Sequence, residues 1–248
     1  MEQRHKSLEE FSNKVEVAFD HITGRHIVAA EDIKPFETIL VEDPMAWVLY
    51  PSKGGFNCAH CLARLKAAIP CKKCAGALFC SVHCRDEAFT SYHQWECEFH
   101  EVLNGLGCSS VARLALRLIT SRPLAFFLDL KEVITSKQQT DDKYIRLLNL
   151  VGLEGQRWPE DFLARSAMAV VLLGILRASG YFGGVKKSSS NPDSYTANEL
   201  FIGSLILRHL QVISCQLQRY MDVIIGNYSC YNSTPTKFMR CYAAPEAS

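Results

Sequence analysis

The residues of this chain with the strongest chemical character are eight soft metal ligands within forty positions, Cys58 to Cys97. They come as four pairs: Cys58 and Cys61, Cys71 and Cys74, Cys80 and Cys84, His93 and Cys97. Thiolate sulfur and imidazole nitrogen are donors that zinc takes four at a time in tetrahedral structural sites, so eight ligands amount to two closed sites. Closed sites hold a fold together and keep no open position for a reacting molecule. Two cysteines separated by two residues can turn back on one ion. Cys80 with Cys84, like His93 with Cys97, lie four apart and would face one side of a helical turn. A disulfide framework or a set of buried free thiols is the competing reading, and paired spacing through all eight positions argues against it. His60, His83 and His100 lie close by. None has an unassigned cysteine at ligand spacing, so they read as surface residues or as supports for the ligands.

Composition narrows the function classes. The chain has 248 residues, 48% hydrophobic and 21% charged, enough for one large or two modest cores. A formal net charge of +1 gives no electrostatic case for nucleic acid or for an acidic membrane surface. Between Cys58 and Cys97 the basic residues are Arg64, Lys66, Lys72, Lys73 and Arg85, against Asp86, Glu87 and Glu96. Seven thiolates and two divalent ions then leave this stretch slightly negative, which does not suit a module that tracks phosphates. Cys108, Cys215, Cys230 and Cys241 are left over. The opening MEQRHKSLEEF lacks the apolar core of a signal peptide. Reduced thiols holding zinc point to the cytoplasm or the nucleus. The longest apolar run, Ala167 to Leu176, is about half of the roughly twenty residues a bilayer needs, so no membrane span is expected.

The elements that must position the ligands can be read on either side of them. Residues 1–14 form a polar lead-in with partial helical character. Val15, Val17 and Phe19 alternate with Glu16 and Ala18, a strand pattern, and Thr23-Gly24-Arg25 makes a turn into His26 to Ala30. Ile39 to Val41 and Trp47 to Tyr50 are further extended runs, giving a small sheet that cannot bury both faces alone and expects a partner later in the chain. After the cysteine-rich stretch the period becomes helical. Val111, Leu114, Ala115, Leu118 and Ile119 recur at three and four. Leu124 to Thr135 and Tyr144 to Leu150 predict shorter helices. Pro159, followed by Glu160 and Asp161, opens a helix to about Leu176. Lys186 to Tyr195 is a polar loop, and Thr196 with Glu199 forms a capping box for a helix over about 197–217, its interior marked by Leu200, Leu205, Leu207, Leu210 and Ile213.

In ligand spacing, and in the Phe79 that precedes Cys80, residues 58–97 resemble the MYND zinc finger. In that family the pairs interleave, which assigns Cys58, Cys61, Cys80 and Cys84 to one ion and Cys71, Cys74, His93 and Cys97 to the other. Gly24 to Pro44 resembles the opening of a SET domain, the lysine-methyltransferase fold, so the chain is similar to the SET- and MYND-domain family, in the subgroup that usually carries tetratricopeptide repeats. The resemblance implies an α+β fold: 15–57 as the N-terminal part of a split SET-type sheet, 58–97 as the finger that interrupts it, and 98–215 as the all-helical insert. It also implies that Thr23, Gly24 and Arg25 help hold S-adenosylmethionine.

The resemblance ends near Cys215. The helix there should continue with an asparagine that contacts the cofactor, and Gln216 stands in its place. Asn227-Tyr228-Ser229-Cys230 only echoes the family's N-H-S-C-x-P-N stretch. Residues 216–248 read as a divergent, unstructured tail, as in a shortened isoform or an imperfect gene model. On this reading no catalytic residue can be assigned, and the expected function is a zinc-binding interaction module with an incomplete methyltransferase domain. Its partner would be a proline-rich peptide gripped around Phe79, Gln94 and Trp95. The alternative is an S-adenosylmethionine-dependent protein-lysine methyltransferase.

Overall fold

The computed structural model describes residues 5–6, 9–21, 24–49, 54–136, 142–150, 152–183, 194–225 and 239–242. They fall into two compact units, residues 1–45 with 229–248, and residues 46–228.

In the first unit, β1 (Val15–Asp20) and β2 (Gly24–Ala29) form an antiparallel hairpin with Val15 opposite Ala29 and Asp20 opposite Gly24. The strand forms as its pattern predicts, but its apolar face is not buried along its length: Val15 is buried while Val17 and Phe19 on the same face are exposed. Phe36, with φ of 65°, turns the chain ahead of β3 (Thr38–Glu42). Lys14 braces that turn, its Nζ 2.8 Å from Glu37. β3 pairs antiparallel with β6 (Met239–Tyr242), and Phe11 bridges to Leu40.

Three sequence expectations need correction here. The strands form separate two-stranded sheets rather than one small sheet. Trp47 to Leu49 is not a strand. The tail is not wholly unstructured, since a strand within it supplies the later partner that β3 requires, and the last helix runs on to Ile225. The lead-in shows turns and a bridge but no helix among its described residues. The stretches 186–193 and 227–230 singled out above lie outside the described residues.

The second unit begins with a two-stranded ribbon, β4 (Ile69–Pro70) and β5 (Leu78–Phe79). A helical rod follows, made of α1 (Val82–Ala88), a π-turn (Phe89–His93), α2 (Gln94–Glu96), a 3-10 turn (Cys97–Phe99) and α3 (His100–Gly105). Next come α4 (Ser110–Thr120), α5 (Leu124–Asp129), α6 (Lys131–Ser136), α7 (Lys143–Leu148), α8 (Pro159–Ser179) and α9 (Ala197–Ile225). Ser109 caps α4, whose Ala112, Ala115, Leu116 and Ile119 are buried. α8 closes on Gly180 at φ 84°, with Tyr181 N–H donating to Leu176 and Gly180 N–H to Arg177, a left-handed C-terminal cap that only glycine adopts without strain. The capping box of α9 is present in both directions: Thr196 N–H donates to Glu199 Oε2 at 2.7 Å and Glu199 N–H to Thr196 Oγ1 at 3.2 Å. Glu199 also pairs with Arg177 of α8 at 2.9 Å.

Helices α4, α8 and α9 share the core through Leu116 and Ile119, Leu172 and Leu176, and Ile202 and Ile206. In α9 Leu205, Leu210 and Ile213 are buried as the sequence reading has them, together with Ile202, Ile206 and His209, whereas Leu200 is exposed and Leu207 only half-buried. His209 is buried with its Nε2 3.0 Å from the Tyr144 hydroxyl. Among the described residues α8 is long and apolar enough to cross a membrane by length and composition; Ala169, Leu172, Leu173, Ile175 and Leu176 are buried on one face, while Phe162, Leu163, Val170 and Val171 are exposed.

Candidate metal centre

Each ligand pair is delivered by a different local device. Cys58 accepts at its carbonyl from Leu62 N–H and donates through its N–H to Ala63, with Leu62 held in the left-handed region at φ 64°. This tight knuckle brings Cys61 back beside Cys58. The β4–β5 ribbon carries Cys71 just past one strand and Cys80 just past the other, and Cys71 N–H closes it on the Ala77 carbonyl at 3.0 Å. Ser81 caps α1, its Oγ accepting from Cys84 N–H at 3.1 Å, so the cap itself orients the fourth cysteine of that neighbourhood. The nine positions from Cys84 to His93 are about two and a half α-helical turns, which points the two side chains to opposite sides of the rod. The π-turn between them, with Gln94 N–H reaching the Phe89 carbonyl, adjusts the phase of His93 and Cys97.

The ligand atoms gather into two groups, Cys58, Cys61, Cys80 and Cys84 in one and Cys71, Cys74, His93 and Cys97 in the other, with all atoms of a group within 4.8 Å of one another. In the first, Cys61 and Cys80 sulfurs are 3.5 Å apart and those of Cys80 and Cys84 3.6 Å. In the second, Cys71 and Cys97 sulfurs are 3.7 Å apart, and Cys74 Sγ is 3.4 Å from His93 Nε2. A tetrahedral ion with Zn–S of about 2.3 Å would hold its sulfurs about 3.8 Å apart, so the donor sets fit zinc. All seven cysteines are free thiols, which removes the disulfide reading for them.

Electrostatics prepares the donors. Burial works against ionisation of Cys58, but backbone N–H groups of Cys61, His60 and Cys80 aimed at its sulfur hold its pKa below the ordinary thiol value. Cys71 is likewise held low, against burial, by N–H groups of Lys73 and Cys74 and by Cys97. Burial pushes the Cys61 thiol up to about 12, as expected when its neighbour carries the charge first. Burial takes His93 down to about 4, which keeps the imidazole neutral and able to ligate.

None of the neighbouring histidines joins either group. His83 is exposed. His100 is half-buried over Gly76. His60, however, is buried rather than on the surface: its N–H donates to Cys58 Sγ at 3.4 Å, while its ring meets the Tyr92 hydroxyl at 3.2 Å and Glu87 at 3.1 Å. The sequence reading missed a second support. Glu96, buried at the end of the finger, takes two parallel 2.8 Å bonds from Arg117 of α4 and a third, at 2.6 Å, from Thr120. The Arg117 guanidinium also lies 3.5 Å over the Tyr92 ring and donates to the Trp47 carbonyl at 2.9 Å. Nothing in the sequence joins these two residues, which lie twenty-one positions apart, beyond the general rule that buried charges come paired.

The proposed cofactor and peptide residues are placed less favourably. Thr23 lies outside the described residues, and Gly24 and Arg25 open β2. Phe79 is 1% exposed beneath the metal groups, so it cannot grip a partner. Trp95 is half-buried, edge-on to Tyr181. Gln94 is exposed, its side chain turned back to the Thr90 carbonyl.

Two interleaved four-ligand groups on one ribbon and one helical rod define a zinc-binding finger, and residues 58–97 match the family model of the MYND finger. MYND fingers are protein-interaction domains. The chain is similar to the protein-lysine N-methyltransferase SMYD4 of Pongo abelii, 30% identical over 153 residues that make up 54% of this chain and 18% of that protein. The same protein of Gallus gallus is 32% identical over 125 residues (42% of this chain, 17% of the relative), and that of Danio rerio is 31% identical over 123 (44% and 16%). The match thus spans less than a fifth of each relative's length. Residues 58–97 thus form a zinc-binding finger of MYND type, and the chain is similar to proteins of the SET- and MYND-domain family.

Proposed function

We propose that the chain acts as a protein-interaction module whose finger, stiffened by two zinc ions, takes an extended proline-rich segment of a partner. The observation that carries this reading is the contrast between the finger's interior and its rim. Inside, the metal-binding cysteines, Phe79, Ala88 and Tyr92 are packed into the finger's own buried core. On the rim, Phe89 is part-exposed with Lys73 Nζ 4.8 Å over its ring, and Val82 one and a half to two turns earlier on the rod is exposed. An aromatic face, an aliphatic neighbour and an adjacent cation suit a pre-extended peptide, whose ordering costs little entropy. Reduced thiolate ligands favour the cytoplasm or nucleus for such a module.

The test is metal counting followed by titration of a fluorescent proline-rich peptide. Two zinc ions per chain and saturable binding that Phe89→Ala weakens are expected. One ion per chain, or binding indifferent to Phe89, would refute the corresponding part of the reading. A second reading, an S-adenosylmethionine-dependent lysine methyltransferase, is favoured by the printed name of the relatives. Its cofactor would lie at Thr23, Gly24 and Arg25. Calorimetric titration of S-adenosylmethionine into the zinc-loaded chain decides it: saturable heat supports the enzyme, and its absence leaves the interaction module.

A further inference from the structure

Between the finger and helices α3 and α4 lies a cavity of about 280 Å³. Its apolar lining includes Val48, Leu49, Leu78, Phe79, Leu103 and Leu116. A cavity of about 150 Å³ with such walls is enough for benzene, so this one has room for a single ring and a polar group besides. Polar groups line it too, and one of them is chemically unfinished. Arg113 donates from Nε to the Cys108 carbonyl at 3.3 Å and from Nη2 to Asn104 Oδ1 at 2.7 Å, both neutral acceptors. Its Nη1 has no hydrogen bond, and no carboxylate pairs with the guanidinium among the described residues. The acid nearest in effect, Glu96, already has one oxygen shared by Arg117 and Thr120 and the other on Arg117. Burial, with the positive charge of Arg117 adding to it, takes the Arg113 pKa below the usual arginine value. A half-buried cation with no counter-ion is costly, and the cheapest remedy is an anion in the space beside it.

The walls are preformed. One side is the zinc-bearing finger, and the other is α4, clamped to it by Glu96 and Arg117. His100 lies so close over Gly76 that a Cβ there would come 2.0 Å from the ring, so any larger residue at that position would have to displace it. The His100 ring, which has no hydrogen bond among the described residues, is a further donor or acceptor at the cavity wall. We infer that this cavity is a binding site for a carboxylate carried on a small apolar body, the carboxylate meeting Arg113 Nη1 and the body lying against Leu103 and Leu116. Preformed walls reduce the ordering cost that usually limits such small ligands. The same chemistry has two sources, a free small acid or the carboxy-terminus of a peptide.

The experiment uses the full zinc-loaded chain with labelled Leu and Val methyl groups, observed by NMR. Benzoate serves as the free acid, acetyl-leucyl-leucine as the peptide terminus, and benzamide as the uncharged control. Shifts confined to methyls of Val48, Leu49, Leu103 and Leu116 are expected, with benzoate at least about tenfold tighter than benzamide, the low end of what a charged hydrogen bond supplies. Arg113→Gln should remove that preference and Arg113→Lys should retain part of it. Stronger binding of acetyl-leucyl-leucine than benzoate would identify a peptide terminus as the source. Equal affinity for benzoate and benzamide, or no shift with either acid at millimolar concentration, would overturn the inference without recourse to a variant.

Discussion

Glu96 sits one residue before a metal ligand, and its partner Arg117 sits in the middle of α4, so a single ion pair joins the finger to the helices behind it. Both groups are buried, and burial alone would raise the Glu96 pKa; the guanidinium and the Thr120 hydroxyl reverse this and hold it below the usual carboxylate range. Arg117 is shifted up by the same pairing, against its own desolvation. Such a pair need not stabilise relative to a well-packed apolar pair, but removing one member strands the other. Glu96→Gln is therefore expected to cost about 3–5 kcal/mol in urea unfolding, whereas Glu96→Leu with Arg117→Met should be near neutral. The pH dependence has a definite sign. A carboxylate with a depressed folded pKa contributes stability that is present above its unfolded value, about 4.3, and is lost as pH falls through the lower folded value. The stability of the native pair relative to the Leu–Met pair should thus fall below pH 4.3, and a constant difference down to pH 3 would refute the assignment.

Elements built from local chemistry were legible in the sequence, and those built from distant contacts were not. The four ligand pairs and the Thr196–Glu199 box each depend on residues within four positions of one another, and a spacing states them directly. The box yields a simple test: Thr196→Ala should destabilise the chain by about 1 kcal/mol, seen as a lower urea midpoint with unchanged slope. An unchanged midpoint would mean that packing alone holds the start of α9. The buried face of that helix was legible only in part: Leu205, Leu210 and Ile213 are buried as read, but Ile202 and Ile206 take the fully buried places and Leu200 lies outside the face. Periodicity cannot choose between two apolar stripes when the choice is made by α4 and α8. The partner of β3 was illegible for a different reason. A four-residue strand more than 190 positions away has no local signal strong enough to distinguish it from an irregular tail. His60 shows the same limit within the finger, since its burial depends on Tyr92 and Trp47 closing over it.

At the scale of the molecule, the question is whether the finger and the helices of residues 46–228 are one cooperative body or two. The finger has its own core, and structural zinc contributes folding free energy outright, so a chelator should unfold it. The helices α4, α8 and α9 have a larger apolar core of their own and, among the described residues, carry no metal ligand. If these were independent, chelation would remove the finger's signal and leave the helical transition where it was. The contacts argue otherwise. Arg117 lies in α4, and without the finger it would face a cavity with its carboxylate partner, the Tyr92 ring and the Trp47 carbonyl all withdrawn. Trp95 would likewise uncover Tyr181, whose hydroxyl is bonded to the Ile119 and Arg122 carbonyls at the end of α4. Loss of zinc therefore propagates into the helices through a buried charge. Circular dichroism at 222 nm during heating should show the midpoint of the helical transition falling when zinc is removed from the native protein. In the Glu96→Leu, Arg117→Met variant, where no charge is stranded, that fall should be much smaller. Equal falls in both proteins would mean that the coupling runs through apolar packing, and no fall in either would make the finger and the helices separate folding units.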